Sequence, residues 1–564
     1  MSHTLISRRW TRLGVVAATL LAGTSLASAE VTYERLLNPE PENWLMNHRT
    51  FDSNRYSPLD EINTGNAGDL KIAFAVALAP SQEVFLGGGL QGTPVVDNGI
   101  MYMVDSVGRV YRIDLTAGDR GFINWIMDPE TDPEVDGIQN NRGVALFGDN
   151  VYSVTRDGFF VSTEAATGEV VWQVATEQNP VEYFTMAPLA LEDRLIMGPA
   201  GGDGPMRGRI EARSPDDGSL LWTFWTIPGE GEPGNETWGD GWETGGVGLW
   251  VTGSYDPATN TLFYGTGNPS PFGDPTLRPG DNLYSSATVA LDAETGALKW
   301  YFQYTPNEQW DYDEVGVNQI YTIDGETVIG HFARNGFYYN LNATDGTYLN
   351  GAQYVDQVTW TAGIDPKTGM PVEYNPDLRS GGVQQYAIDP YATDNPTLIC
   401  PNIQGGTNMF PTTYSERTSL VYASAIEGCN AAGGPDPRAN LQTGSVIAVD
   451  ITTGEVVEKH SLPFVAYGGN VSTAGGLVFG NTINGDFFAM DDETLDILWN
   501  INIGTPIEAG PISFAINGKQ YIAVAAGAGS VSMNFSNYPA RGDDPNAASL
   551  ANMQRASMLY FFSL

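Results

Sequence analysis

The chain has 564 residues, with 66 Gly, 34 Pro, 26 Tyr and 13 Trp, a mixture that specifies many turns and packed strands rather than long helices. Its 67 acidic residues against 27 basic ones give a net charge of −40 spread along the whole length. That excludes partners that select for Lys and Arg, namely nucleic acid and anionic membranes, and suits plain solubility or the steering of a basic protein.

The N-terminus reads as an address. Arg8, Arg9 and Arg12 precede an apolar run from Leu13 to Leu26, and Ala27-Ser28-Ala29 is a small-x-small cleavage site. The run is too short for a stable membrane span. Residues 1–29 are therefore expected to be a removed signal peptide, and 30–564 a single exported domain in a bacterial periplasm. Ser7-Arg8-Arg9 leaves the twin-arginine route open beside the general one. No later segment is apolar enough to span a membrane.

One phrase then recurs seven times between Asp114 and Trp499: an apolar strand end, an acidic or small turn, usually a Gly, and in five copies an indole four residues on. Clear copies are AATGEVVW (Ala165–Trp172), PDDGSLLW (Pro215–Trp222) and AETGALKW (Ala293–Trp300). Weaker ones are Ala343–Asn350, Thr452–Glu458 and Asp492–Trp499, and the first, Ile113–Trp125, carries extra turn residues. Gly or Asp supplies the tight reversal, and the following strand carries an indole placed to pack against a neighbour. Spacings of roughly forty to fifty residues are the period of four-stranded blades. Seven copies plus one blade closed by the chain's two ends predict an all-β, eight-bladed propeller with tryptophan-docking repeats.

Chemistry-bearing groups stand inside Gly-rich sequence in the middle of the chain. GPAGGDGPMRG (Gly198–Gly208) holds Asp203 among glycines that let backbone approach a ligand. YGTGNPSPF (Tyr264–Phe272) holds Asn268, and HFARNGFYYNL (His331–Leu341) holds Arg334 just before a Gly. TPNEQWDYDEVGVN (Thr305–Asn318) presents Asp311 and Asp313, two apart and so on one face if extended. Oxygen ligands from Asp203, Asn268 and Asp311 suit a hard cation, while four His in total disfavour a zinc or iron site. In an exported chain Cys400 and Cys429 are expected to pair rather than remain two buried thiols, which the chain-entropy account values at roughly 3–4 kcal/mol. No C-x-x-C-H haem attachment motif occurs.

With these motifs in order, the chain resembles the pyrroloquinoline-quinone (PQQ)-dependent alcohol dehydrogenases, the methanol dehydrogenase-like quinoproteins. RYSPLDEINTGNAGDLKIAF (Arg55–Phe74) resembles the family's N-terminal signature, and YGTGNPSPF, RPGDNLY (Arg278–Tyr284), TPNEQWDYD and the repeats follow in the family's order. The resemblance implies an eight-bladed propeller with quinone and metal on its axis. It makes Asp203 (usually Glu in the family), Asn268 and Asp311 metal ligands, Asp311 also the catalytic base, and Arg334 the donor to the reactive quinone oxygens. It stacks the quinone on Trp250 and places Gln91, Arg142, Thr185 and Asn408 on its carboxylates and carbonyls, beside Gly201 and Gly202. It also pairs Cys400 with Cys429.

Three departures bear on function. The stretch VDGIQNNRG (Val135–Gly143) has none of the adjacent cysteines that many members carry there, so something else must cap the ring. A family Trp is replaced by Tyr467. Both changes point away from a methanol-sized substrate. Asp313 matches the extra carboxylate of the lanthanide-dependent branch, whose third negative charge suits a trivalent ion, while the shorter Asp203 leaves Ca²⁺ open as well. The implied reaction is oxidation of an alcohol, possible substrates being secondary or sugar-like as in the similar sorbose and sorbosone dehydrogenases. Hydride passes to the quinone, Asp311 takes the hydroxyl proton, and electrons leave to a soluble cytochrome c or other external acceptor. The alternative is a non-catalytic propeller scaffold of the outer-membrane assembly type, which has no use for these residues together.

Overall fold

The computed structural model describes residues 30–79, 89–132, 135, 140–176, 181–388, 397–432, 442–527, 553 and 556–564. The predicted signal segment, and most of the stretch before Arg142, lie outside the described residues. Among the described residues the strands form nine sheets, eight of them four- or five-stranded and mainly antiparallel, the blades of an eight-bladed propeller, and one a two-stranded ribbon.

Each of the seven sequence phrases is the turn between the third and fourth strands of a blade. Ala165–Trp172, for example, links Phe159–Glu164 to Val170–Ala175. Its Gly adopts a left-handed conformation, and the preceding blade's indole lies against it: a Cβ built on Gly168 falls 2.7 Å from Trp125, one on Gly218 2.8 Å from Trp172, and one on Gly296 2.5 Å from Trp222. Each of these indoles, and Trp300 likewise, donates to a carbonyl of the next blade, Trp125 to Ala165, Trp172 to Pro215, Trp222 to Ala293 and Trp300 to Ala343. The repeat is thus a blade-to-blade latch. A side chain at the Gly would collide with the ring that the turn exists to receive.

The ring closes between the chain's ends. Lys71–Ala77 pairs with Met558–Ser563, which pairs in turn with Lys519–Ala526, beside Ile512–Ile516. Trp499 donates to Leu70 and latches the seventh blade onto this composite eighth. The seventh blade carries a fifth strand, Tyr56–Ser57, parallel to Val471–Thr473. Inner strands are buried throughout, as in Ile100–Val104, while fourth strands such as Leu220–Trp225 face outward. Cys400 and Cys429 form a disulfide, flanking the two-stranded ribbon of Thr397–Ile399 and Asn430–Ala432. No helix among the described residues is long and apolar enough to cross a membrane.

Candidate active site

Antiparallel blades put the entry to each first strand and the exit from each second strand at one end of the propeller axis. Gln91, Arg142, Thr185, Trp250, Asn408 and Tyr467 all lie on segments leading into the first strand of a blade. Gly201–Asp203, Asn268 and Arg334 all follow a second strand. Asp311 and Asp313 lead into the fifth blade's first strand, Asn318–Ile323. These thirteen residues, drawn from most of the blades and far apart in sequence, line one cavity of about 210 Å³.

The acidic wall is held by Arg334. Its guanidinium donates to Asp313 at 2.5 Å, approaches Asp311 at 3.5 Å and donates to the Ile403 carbonyl at 2.6 Å. The other Asp313 oxygen accepts the Asn268 backbone N–H at 2.8 Å. Burial would depress the Arg334 pKa, but the charges of Asp313 and Asp311 outweigh it and hold the group above the usual arginine value. Burial, reinforced by the charge of Asp203, lifts Asp311 well above the carboxylate range. Burial and the Asp313 charge push Asp203 up to about 6. Asp203 is enclosed by protein yet solvent-accessible, because its side chain opens onto the cavity.

The extended geometry expected for Asp311 to Asp313 does not occur. Asp311 has φ +69°, and this left-handed turn, rather than strand alternation, brings both carboxylates to the cavity. Next along the chain, buried Glu314 accepts the Arg334 backbone N–H at 2.8 Å and lies 3.2 Å from His331 Nε2. Of the glycines of Gly198–Gly208, Gly201 and Gly202 line the cavity. Gly202 passes so close to Gly248 that a Cβ would fall 2.6 Å from its nitrogen, so the bare backbone there meets backbone.

The opposite wall is basic and aromatic. Arg142 donates to Thr185 Oγ1 at 2.5 Å, and its guanidinium lies 4.7 Å from the centre of the Trp250 ring, covering one indole face. Tyr467 donates to Gln404 Oε1 at 2.8 Å, and Asn408 donates to the Gln404 carbonyl at 3.1 Å. Gln91 donates to Glu508 at 3.0 Å.

The residues fit a planar ligand that carries both hydrogen-bond acceptors and donors, and a hard cation. Gln91 Oε1, Asn140 Oδ1 and Arg334 Nε are buried without a hydrogen-bond partner, in a cavity that also offers an indole and two arginines. Three carboxylates against the one guanidinium beside them leave excess negative charge, and oxygen donors suit Ca²⁺ or a lanthanide. No three acidic, His or Cys side chains among the described residues close on a single point, and Arg334 pairs with both Asp311 and Asp313. An ion would take over part of that neutralisation.

Sequence reasoning missed Asn140, Tyr183, Gln404 and Met409, which also line the cavity. Asn140 sits directly ahead of Asn141-Arg142, and Gln404 lies in the Gly-rich run Asn402–Asn408, so only proximity to expected residues signalled them.

The family described as the glucose/ethanol/alcohol dehydrogenase β-propeller domain, PQQ, matches residues 44–356. Quinoprotein alcohol dehydrogenase PedH of Pseudomonas putida is 33% identical over 561 residues, covering 91% of each chain. The lanthanide-dependent methanol dehydrogenase of Methylacidiphilum fumariolicum is 31% identical, covering 91% of this chain and 90% of its own. The solved structure of a europium-containing methanol dehydrogenase superposes with a TM-score of 0.81 at 28% identity, covering 94% of this chain and all of its own.

Proposed function

The chain belongs to the PQQ-dependent alcohol dehydrogenases, and from that premise we propose that it is a periplasmic enzyme oxidising an alcohol bulkier than methanol, secondary or sugar-like, with a lanthanide as its metal. The observation that carries the dehydrogenase reading is the convergence of all thirteen expected residues on one cavity. A docking scaffold has no need of that cavity.

When bound, the quinone supplies the two-electron acceptor for the alcohol's C–H hydride, and the metal a Lewis acid. Asp203, Asn268, Asp311 and Asp313 would hold the metal. Trp250 would stack the quinone, with Arg142 drawn from the indole face toward a quinone carboxylate. Gln91, Thr185, Asn408 and Tyr467 would complete that wall, along the Gly201-Gly202 backbone. Asp311 takes the hydroxyl proton, and Arg334 keeps it oriented and donates to negative charge developing nearby. The lanthanide is favoured over Ca²⁺ by charge, since Asp203, Asp311 and Asp313 face one cavity and a trivalent ion offsets them more fully. Its relatives include enzymes named for lanthanide dependence and europium. Electrons leave to a separate acceptor; a basic soluble cytochrome c fits the net charge of −40. The apolar run and cleavage site within residues 1–29, together with the disulfide, support export.

Apoprotein reconstituted with PQQ and either La³⁺ or Ca²⁺ tests this by dye reduction across alcohols from methanol to bulky secondary and sugar-like ones. Turnover is expected with La³⁺ and larger alcohols. Equal or better turnover with Ca²⁺ overturns the metal assignment, and a preference for methanol overturns the substrate assignment.

A further inference from the structure

Asp311 occupies a costly position. It is not a glycine, yet it sits at φ +69°, where Cβ crowds the backbone, and it projects into the cavity from a turn rather than from a strand. Something must hold that turn. Glu308, three residues earlier and wholly buried, reaches across it: its Oε1 accepts the backbone N–H of Trp310 and, at 2.9 Å, that of Tyr312, one on each side of Asp311.

The anchor is itself fixed. Buried Arg278 donates to the Glu308 carbonyl, and also to Asn282 Oδ1 at 2.7 Å and Phe272 O at 3.1 Å. Glu308 does not line the cavity, and its second oxygen, Oε2, is buried without a partner. A buried carboxyl with one unused oxygen is an expensive way to fill space. What it does here is gather two N–H groups onto one atom, a geometry that an apolar side chain lacks.

We propose that Glu308 is a positioning residue for Asp311, its carboxylate clamping the N–H groups on both sides of the base and so setting the left-handed turn that aims it into the cavity. The proposal rests on the reading of Asp311 as the base. Misplacing a reacting group by about 1 Å can cost on the order of 10²-fold in rate, so the clamp acts on turnover more than on binding.

The test compares Glu308→Leu, which removes the acceptor, with Glu308→Gln, which keeps an acceptor oxygen without the charge. Melting curves and PQQ affinity of the reconstituted holoenzyme verify that each variant folds and binds the quinone. Glu308→Leu is expected to lose roughly 10- to 100-fold in kcat, with KM and quinone affinity within about threefold of the parent by the same argument, and Glu308→Gln to recover most of that loss. A crystal structure of Glu308→Leu is expected to show the Trp310–Tyr312 turn relaxed and Asp311 withdrawn. The idea is overturned if Glu308→Leu keeps Asp311 in place and its turnover intact, or if Glu308→Gln falls as far as Glu308→Leu. Should Glu308→Leu not fold, Glu308→Ala, which removes the acceptor without adding apolar bulk, carries the same expectations. An inert parent enzyme would sink the dehydrogenase reading instead, and the crystal structure would still judge the clamp.

Discussion

Asp311 and His48 show how burial sets the behaviour of single residues here. Asp311 lies against Arg334, in reach of any alcohol entering the cavity. Asp311→Asn keeps the shape and removes the proton acceptor, so kcat is expected to fall by about 10²–10⁴-fold while the quinone still binds. A quinone-loaded Asp311→Asn enzyme with full turnover would remove Asp311 as base. His48 is buried, with Nδ1 unpartnered and Nε2 3.3 Å from the Thr252 carbonyl. Burial, aided by the charge of Arg55, pulls its pKa down to about 3. The folded state therefore favours neutral His48, and the unfolded chain binds the proton first, near pH 6.5. Stability from this group is complete above that pH and is lost as the pH falls from about 6.5 toward 3, about 2 kcal/mol having gone by pH 5. Denaturant titrations at pH 7.5 and pH 5 should show the parent losing more stability than His48→Gln; parallel losses would contradict it.

At the scale of elements, the third-to-fourth-strand turn does two jobs with one residue. Gly296 has φ +73°, and a Cβ there would lie 2.5 Å from the Trp222 ring. Gly296→Ala is expected to cost about 1–3 kcal/mol, through backbone strain and displacement of the indole. Gly68 has nothing within 4 Å of such a Cβ, so Gly68→Ala should stay within about 0.5 kcal/mol of the parent. Equal melting temperatures for the two variants would argue against the latch. These turns were legible because Gly and Trp recur at fixed spacing. The turn at Asp311 was not, since nothing local distinguishes an Asp at positive φ from one in a strand.

At the scale of the molecule, closure depends on the last strand. Met558–Ser563 lies between Lys71–Ala77 and Lys519–Ala526, and it buries Leu559, Phe561 and Phe562 completely. Each buried Phe contributes roughly 3–5 kcal/mol by the cost of its truncation, against a total stability of about 5–15 kcal/mol for a folded domain. Removing residues 558–564 should leave no cooperatively folded protein by circular dichroism and gel filtration. A truncated chain melting within a few degrees of the parent would show that seven blades suffice.

What the sequence by itself determined is whatever repeats or stands in an ordered motif. The blade count follows from seven third-to-fourth-strand turns, six with a Gly and five with a Trp, plus two free ends, because local turn chemistry and indole packing recur with the blade. The thirteen expected site residues followed from motifs in family order, and they do meet in one cavity. Tertiary structure alone decided which further groups complete the site and what holds it. Gln404, Asn140 and Glu308 read in sequence as ordinary polar residues of loops. Their burial and their partners depend on segments from other blades, or on a turn whose hand no local pattern encodes. A charge bound for solvent and a charge bound for a backbone clamp are the same letter until the propeller closes around it.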